Sequence, residues 1–419
     1  MRAYNLGKFK TGASTMKLQG IRVIDLSRFL PGPMLTQFMA DHGAEVIKIE
    51  SVDEGEPTRS IGEMRDDISV FFANTSRGKK SLALDLKHPE GVEALMRLAE
   101  TADVFIEAFR PGATDRLGVG YRQVAARAPH IVYASICAFG QTGPYRDLAT
   151  HDLAIEAMAG VLSITRSRDG APAIPGMAGA DMLASMVGLS GVLMALLRRK
   201  ETGRGDYLDL SMAECLLSCI PNNLGSAMAE RKQPDLSSAR ALGGNALYAL
   251  YETKGGEWIA LGGQEMKFAV NVLTALGRPD LIELCKLPPG RGQDPVRAFL
   301  AEAFRNRTRP EWTAFFSGKD VPFAPVQTLP EVLDDPHFRA RGMVTTDARG
   351  WDHIGNPIRF ADEAARPNFN SPALGEHSRA ILQELNYSES DITRLAAAGT
   401  FKEAKAEEMA RYRGLQATE

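Results

Sequence analysis

An aspartate stands at the head of the most apolar segment of the chain. In "GMAGADMLASMVGLSGVLMALLRR", residues 176–199, Asp181 is the single carboxylate in about twenty mostly apolar positions. Burial in the first turn of such a helix raises a carboxyl pKa, whereas the free N–H groups and the dipole of the helix end lower it. The expected compromise is an ionised but poorly solvated carboxylate, a better nucleophile or base than an aspartate in water. A plain N-cap is the other reading of the same residue.

The segment has the length of a bilayer span. Asp181, Ser185, Ser190 and the glycines within it argue instead for a buried helix of a globular domain, because inserting a carboxylate costs several times what one Leu returns. The basic group Arg198, Arg199 and Lys200 closes the helix and suits its dipole.

The elements that must position this helix follow an alternating pattern. "LQGIRVIDLSRFLPGPMLTQFMADHGAEVIKIE" reads as a strand (21–26), a Pro/Gly turn, a helix (about 34–42) and a second strand (46–49). "SLALDL", "DVFIEAF" and "HIVYASICAFG" are further strands, and "PEGVEALMRLAETA" is a helix opened by Pro89. The fold class is therefore α/β: a large, doubly wound, Rossmann-like domain on a parallel sheet, followed by a smaller α+β domain.

The division expected is an N-terminal tail over 1–17, the large domain over 18–225, a linker over 226–245 and the small domain over 246–340. A return linker with a helix packed on the large domain follows over 341–395, and a charged, solvated tail over 396–419. With 419 residues, 44 % apolar and 24 % charged, the chain can build a large core, and its net charge of −3 offers no general attraction to nucleic acid or anionic lipid. The cysteines Cys137, Cys215, Cys219 and Cys285 form no CxxC pair and read as buried thiols of a cytoplasmic protein. The spacing of "GVGYR" is not that of a dinucleotide fingerprint.

"GIRVIDLSRFLPGP", "GAEVIKIE", "RGKKSLALDLKHPEG", "ADVFIEAFRPGATDRLG" and "AFGQTGPY" carry a resemblance, continued by the Asp181 helix with "RKETGRGDYLDLSM", then "PFAPVQTLPEVLDDPHFRARGM" and "SPALGEH". Over residues 18 to about 385 the chain resembles the family III CoA-transferase superfamily of CaiB/BaiF type, which includes formyl-CoA transferases and α-methylacyl-CoA racemases. The resemblance implies that Asp181 is the catalytic carboxylate. It implies CoA transfer between carboxylic acids through an aspartyl mixed anhydride and an aspartyl-CoA thioester. It equally allows a 2-methylacyl-CoA racemase, because His151 in "THDLAIEAMAG" and Glu265 in "LGGQEMKF" fall where racemases keep a histidine and a glutamate. His151 and Asp181 would then be the opposed acid/base pair. A non-catalytic acyl-CoA binding protein is the reading from another class.

The chain departs from both subgroups. It lacks the Asn-Tyr pair that follows the histidine in racemases, and Leu30 and Ala149 replace a glutamine and a lysine of formyl-CoA transferases. The CoA contacts implied are Arg28, Leu30, Pro31, Arg77, Lys80, Ala108, Phe109, Arg110 and Arg116, with Lys79 a further cation for the phosphates. Ser51 stands where relatives keep an arginine, and Arg59 is the candidate substitute. Gly243 and Gly244 resemble a mobile loop over the intermediate, and Met158, Met177 and Met182 are candidates for the acyl pocket. The resemblance further implies an interlocked homodimer, with acyl-CoA and an acceptor acid as partners, no permanent cofactor, no metal, no nucleic acid and no membrane.

Overall fold

The structure, a computed structural model, describes residues 16–413 apart from Arg168, Ala364 and Arg366. Most of the expected N-terminal tail and the last six residues lie outside the described residues. The chain forms two compact units, one of Met1–Val161, Ile174–Cys219 and His337–Glu419, the other of Leu162–Ala173 and Ile220–Pro336.

The larger unit is built on β1 (Arg22–Asp25), β2 (Glu45–Glu50), β3 (Lys80–Leu84), β4 (Val104–Glu107), β5 (Val132–Cys137) and β6 (Asp206–Ser211). These run parallel in the order β3-β2-β1-β4-β5-β6, with Ile24 opposite both Ile47 and Phe105. Successive strand residues face opposite sides of a sheet, and here they feed two cores. Val23, Val46 and Val104 pack under α1 (Pro31–Asp41) and the Asp181 helix, while Ile24, Ile47 and Phe105 pack under α2 (Pro89–Glu100) and the helices near Ile381 and Ile392. A parallel sheet buried on both faces, as the sequence pattern predicts, is the result.

The Asp181 helix runs from Gly179 to Thr202 and stops at Gly203, whose φ of +68° is the left-handed C-terminal cap. Its interior glycines exist for close packing: a Cβ at Gly188 would lie 2.8 Å from Leu35 Cδ1, and one at Gly191 2.6 Å from Leu208 Cδ2. The helix is long and apolar enough to cross a membrane, yet Ala180, Ala184, Leu189, Val192 and Leu196 are spent on the core of the sheet.

Two segments differ from expectation. Residues 226–245 are not a plain extended connector, since they include the short helix Gly225–Glu230 and the turn Arg240–Gly244 of the smaller unit. The C-terminal segment is not merely solvated: Phe401–Lys402 adds an antiparallel edge strand to β3, and Tyr412, in the helix Ala406–Arg413, accepts a hydrogen bond from Arg59 at 3.1 Å. Both anchors use aromatic residues that a charge-dominated reading passes over.

The smaller unit has a three-stranded antiparallel sheet, Tyr248–Glu252, Trp258–Gly262 and Phe323–Pro325, with the middle segment at its centre. Tyr251, Phe304, Trp312 and Phe316 fill its core, and the indole of Trp312 donates to the Phe304 carbonyl at 2.8 Å.

Candidate active site

A helix opens with four backbone N–H groups that have no partner inside it. In the Asp181 helix three of them are taken by two acidic side chains, and Met182 N makes the first bond of the helix itself. Glu156 Oε1 accepts from Gly179 N at 2.9 Å, Asp152 Oδ1 accepts from Ala180 N at 2.8 Å and from Asp181 N at 3.1 Å, and the Ala178 carbonyl accepts from Met182 N at 3.0 Å. Asp152 and Glu156 lie four residues apart in the short helix α3 (Asp152–Met158), so their carboxyls share one side of it.

Asp181 itself is half-buried, and among the described residues no hydrogen bond reaches its carboxyl. Burial pushes its pKa up to about 7, and the nearby Asp152 and Glu156 carboxyls push the same way. This corrects the expected balance: the amides that would have lowered the value are engaged by two other carboxylates. A carboxyl that titrates near neutrality exchanges protons in either direction at physiological pH, and its ionised form is a poorly solvated nucleophile.

His151 is the residue preceding α3 and is exposed. It is the chain neighbour of Asp152, which holds the amide of Asp181, so the backbone brings His151 to the same helix end. The ring of Phe29 stands edge-on to His151 at 6.3 Å. Phe29 has φ of +62°, a conformation rare for a residue with a side chain, and its N–H is held by Glu56 Oε1 at 2.8 Å. The "RFLPGP" turn continues into α1, where the Pro31 carbonyl accepts from Ser185 Oγ at 2.6 Å, one turn beyond Asp181. Gly32 permits this turn, because a Cβ there would overlap the Ser27 side chain. Leu30, half-buried, occupies the N-cap of α1.

On the other side of the same turn is a cavity of about 260 Å³ lined by Arg28, Ser51, Asp53, Lys87 and Phe109 among others. It sits at the carboxyl ends of β1 to β4, where open α/β sheets take their ligands. The Arg28 guanidinium lies 5.5 Å from the centre of the Phe109 ring. Ala108 directly follows β4 and packs on the core, and the loop there is held by Glu107, whose carboxylate accepts from Phe109 N at 2.8 Å. Burial raises the Glu107 pKa to about 7. Arg110 and Arg116 are exposed, and Gly112, φ +76°, brings guanidinia together: a Cβ there would be 3.4 Å from both Arg116 Nη1 and Arg146 Nη2.

The cations of "RGKK" do not converge here. Arg77 is buried, 2.9 Å from Asp41 and donating to the Ile354 carbonyl at 2.6 Å. Lys79 is fully buried, 3.0 Å from Asp25, and desolvation lowers its pKa to about 8. Lys80 pairs with Glu45 at the amino ends of β2 and β3, the sheet edge opposite the cavity. Arg59 is no free substitute for an arginine at Ser51, because it pairs with Glu50 at 2.8 Å and lies 3.9 Å above the Phe72 ring. Arg77, Lys79 and Arg59 serve the interior because each meets a buried acid that must be compensated, whereas the Lys80–Glu45 pair is partly exposed.

In the smaller unit, Glu265 is exposed at the N-cap of the helix Met266–Ala275. Gly243 has φ of +96°, and Gly244 leaves no room for a Cβ beside Ser238 and Ala239. Arg297 donates to the Gly243 carbonyl at 2.9 Å and to that of Gly244 at 3.1 Å. Of the acyl-pocket candidates, Met158 and Met177 are exposed and Met182 is half-buried.

Sequence reasoning missed Phe29, Lys87, Arg146, Asp152 and Glu156. The i,i+4 acids directly after His151 and the lysine directly after "SLALDL" were visible signals; the backbone of Phe29, a non-glycine residue, left none.

A model of the family described as CoA-transferase family III matches residues 18–378. Succinyl-CoA:glutarate CoA-transferase of Mus musculus is 32 % identical over 411 residues, 95 % of this chain and 93 % of that protein. Alpha-methylacyl-CoA racemase of Homo sapiens is 32 % identical over 395 residues, 91 % of this chain and 96 % of that protein. The crystal structure of a CAIB/BAIF family protein from Brucella suis superposes with a TM-score of 0.77 at 32 % identity, covering 89 % of this chain and all of that one.

Proposed function

Because this chain belongs to CoA-transferase family III, a match that spans nearly its whole length, we propose that it moves CoA between carboxylic acids with Asp181 as the covalent intermediary. The observation that supports this most is the carboxyl of Asp181, half-buried, with its own helix-end amides engaged elsewhere. The ionised oxygen attacks the thioester carbonyl, the C–S bond breaks, and a mixed anhydride and CoA thiolate result. The thiolate then attacks the aspartyl carbonyl, releases the first acid as its carboxylate and leaves an aspartyl-CoA thioester. An acceptor carboxylate reverses the two steps, takes the CoA and restores Asp181.

CoA enters as a substrate. Its nucleotide end would use the cavity with Arg28, Phe109 and Lys87, and its phosphates the exposed Arg110 and Arg116. Pro31 and Leu30 would border the thioester, Glu265 would serve as a polar site residue, and Gly243 and Gly244 would form a moving loop. A homodimer, interlocked as the resemblance implies, is part of the same reading, supported by the exposure of Leu193, Met194 and Leu197 along the Asp181 helix. A cytoplasmic location accords with four free cysteines.

The racemase reading is retained for one observation: Asp152 links His151 to the amide of Asp181, and two proton-exchanging groups in one site are what inversion at an α carbon requires. One experiment separates the two. The protein is incubated in heavy water with succinyl-CoA, whose acyl group is named in the mouse relative, or with a chiral 2-methylacyl-CoA, each with and without an acceptor acid. Acceptor-dependent CoA movement and a hydroxamate formed at Asp181 by hydroxylamine support transfer. Deuterium at the α carbon without acceptor overturns it in favour of racemisation.

A further inference from the structure

Glu156 has no part in the chemistry just described, yet it is 1 % exposed, and one of its carboxyl oxygens, Oε2, is buried without a hydrogen-bond partner among the described residues. Leaving such an oxygen unpartnered costs free energy, so a carboxyl at this point needs a reason beyond capping, which a glutamine would perform equally well. Its other oxygen takes the first amide of the Asp181 helix, and Gly179 is the residue that makes room for it: a Cβ there would lie 2.6 Å from Glu156 Oε1.

We propose that Glu156 is a positioning residue for Asp181: by holding the Gly179 amide with an acidic group in place of a neutral one, it sets the pH at which the Asp181 carboxyl gains and loses its proton. The proposal rests on Asp181 as the reacting carboxyl. The titratable groups around Glu156 are Asp152 on its own helix with His151 before it, Asp181 on the adjoining helix, and Glu214 and Cys215 on the helix Met212–Ser218, which packs on α3. Acids predominate there, so removing one makes ionisation of its neighbour easier. The Glu156 pKa is itself raised, by burial first, as expected where like charges crowd.

Glu156→Gln keeps the volume and the acceptor for Gly179 N–H and removes only the acid. Asp181 is titrated directly in the full-length protein by water-soluble carbodiimide and an amine nucleophile, which label the protonated carboxyl, with the Asp181 adduct quantified by peptide mass spectrometry across pH 4–9. The expected midpoint in Glu156→Gln is lower than in the unsubstituted protein by at least about half a pH unit, with the same low-pH plateau. Asp152→Asn, which keeps both amide bonds, shifts the midpoint the same way and serves if Glu156→Gln does not fold. Midpoints that stay in place in the folded variants overturn the proposal. This titration involves no substrate, so a failure of the transfer reading, seen as turnover that persists in Asp181→Asn, is distinguishable from a failure here.

Discussion

Replacing Asp181 by asparagine should stabilise the folded chain at neutral pH while abolishing turnover. A carboxyl whose pKa rises from 3.8 in the unfolded chain to about 7 in the fold carries a penalty on its ionised form. Fully expressed, that penalty is on the order of 4 kcal/mol, at about 1.4 kcal/mol per tenfold change. Water at the half-exposed face of the residue trims it, so about 2–4 kcal/mol is expected. The folded state holds the proton more tightly, so stability is lost as pH rises above about 4 and the whole penalty is present above about 7. Asparagine does not ionise. Its advantage over aspartate should therefore be near zero at pH 4, grow through pH 5–7 and level off by pH 8, where about 2–5 °C in Tm corresponds to the energy for a chain of 419 residues. Thermal melts of both proteins by circular dichroism, in matched buffers from pH 4 to 8, measure the difference. An advantage independent of pH, or an asparagine variant that melts lower at pH 8, would refute the assignment of a strained, protonatable carboxyl.

Further outcomes follow from the same geometry. Lys87→Ala should raise KM for acyl-CoA about tenfold with kcat preserved, the loss of one charged contact to a phosphate, read by steady-state kinetics. Arg77→Ala should do the opposite, leaving KM unchanged in whatever protein folds while costing about 3–5 kcal/mol in urea unfolding, because Asp41 would remain buried without its partner. Gly188→Ala should cost about 1–3 kcal/mol in the same assay, since the added methyl meets Leu35 and Leu210 within 3.2 Å.

How much of this was legible in the residues depends on how far each effect travels along the chain. The strands at Arg22–Asp25 and Glu45–Glu50 and the helix between them are local consequences of alternation and of Pro31, and the pattern places them within a few residues. Asp181 at a helix start was equally local. What the pattern could not supply is which groups cap that helix, since the caps lie 23 to 29 residues earlier in sequence, and without them the two opposed effects on the Asp181 pKa stay unresolved. Arg77 and Lys79 mislead for a related reason. A run of cations reads as a solvated face unless the buried acids it compensates, Asp41 and Asp25, are known to stand beside it.

The placement of an acid at the head of an apolar helix then has a physical purpose. Left to itself, a helix N-terminus would donate its amides to Asp181 and hold the carboxylate ionised and stabilised, which lowers its basicity and its reactivity together. Diverting those amides to Asp152 and Glu156 keeps the Asp181 carboxyl at the helix end while withholding the stabilisation that the end supplies. Both transfer and proton exchange profit from that arrangement, so Asp181 alone does not discriminate between them. The discrimination rests on what faces its carboxyl across the substrate: an acceptor acid with access to the aspartyl carbonyl, or the imidazole of His151 on the opposite side of the α carbon. Phe29, with a positive φ and its ring edge-on to His151 at 6.3 Å, is the side chain beside the second of these. Freed of its ring by Phe29→Ala, the site should gain α-proton exchange relative to transfer, and heavy-water exchange no faster than in the unsubstituted protein would show that the ring does not restrain that route.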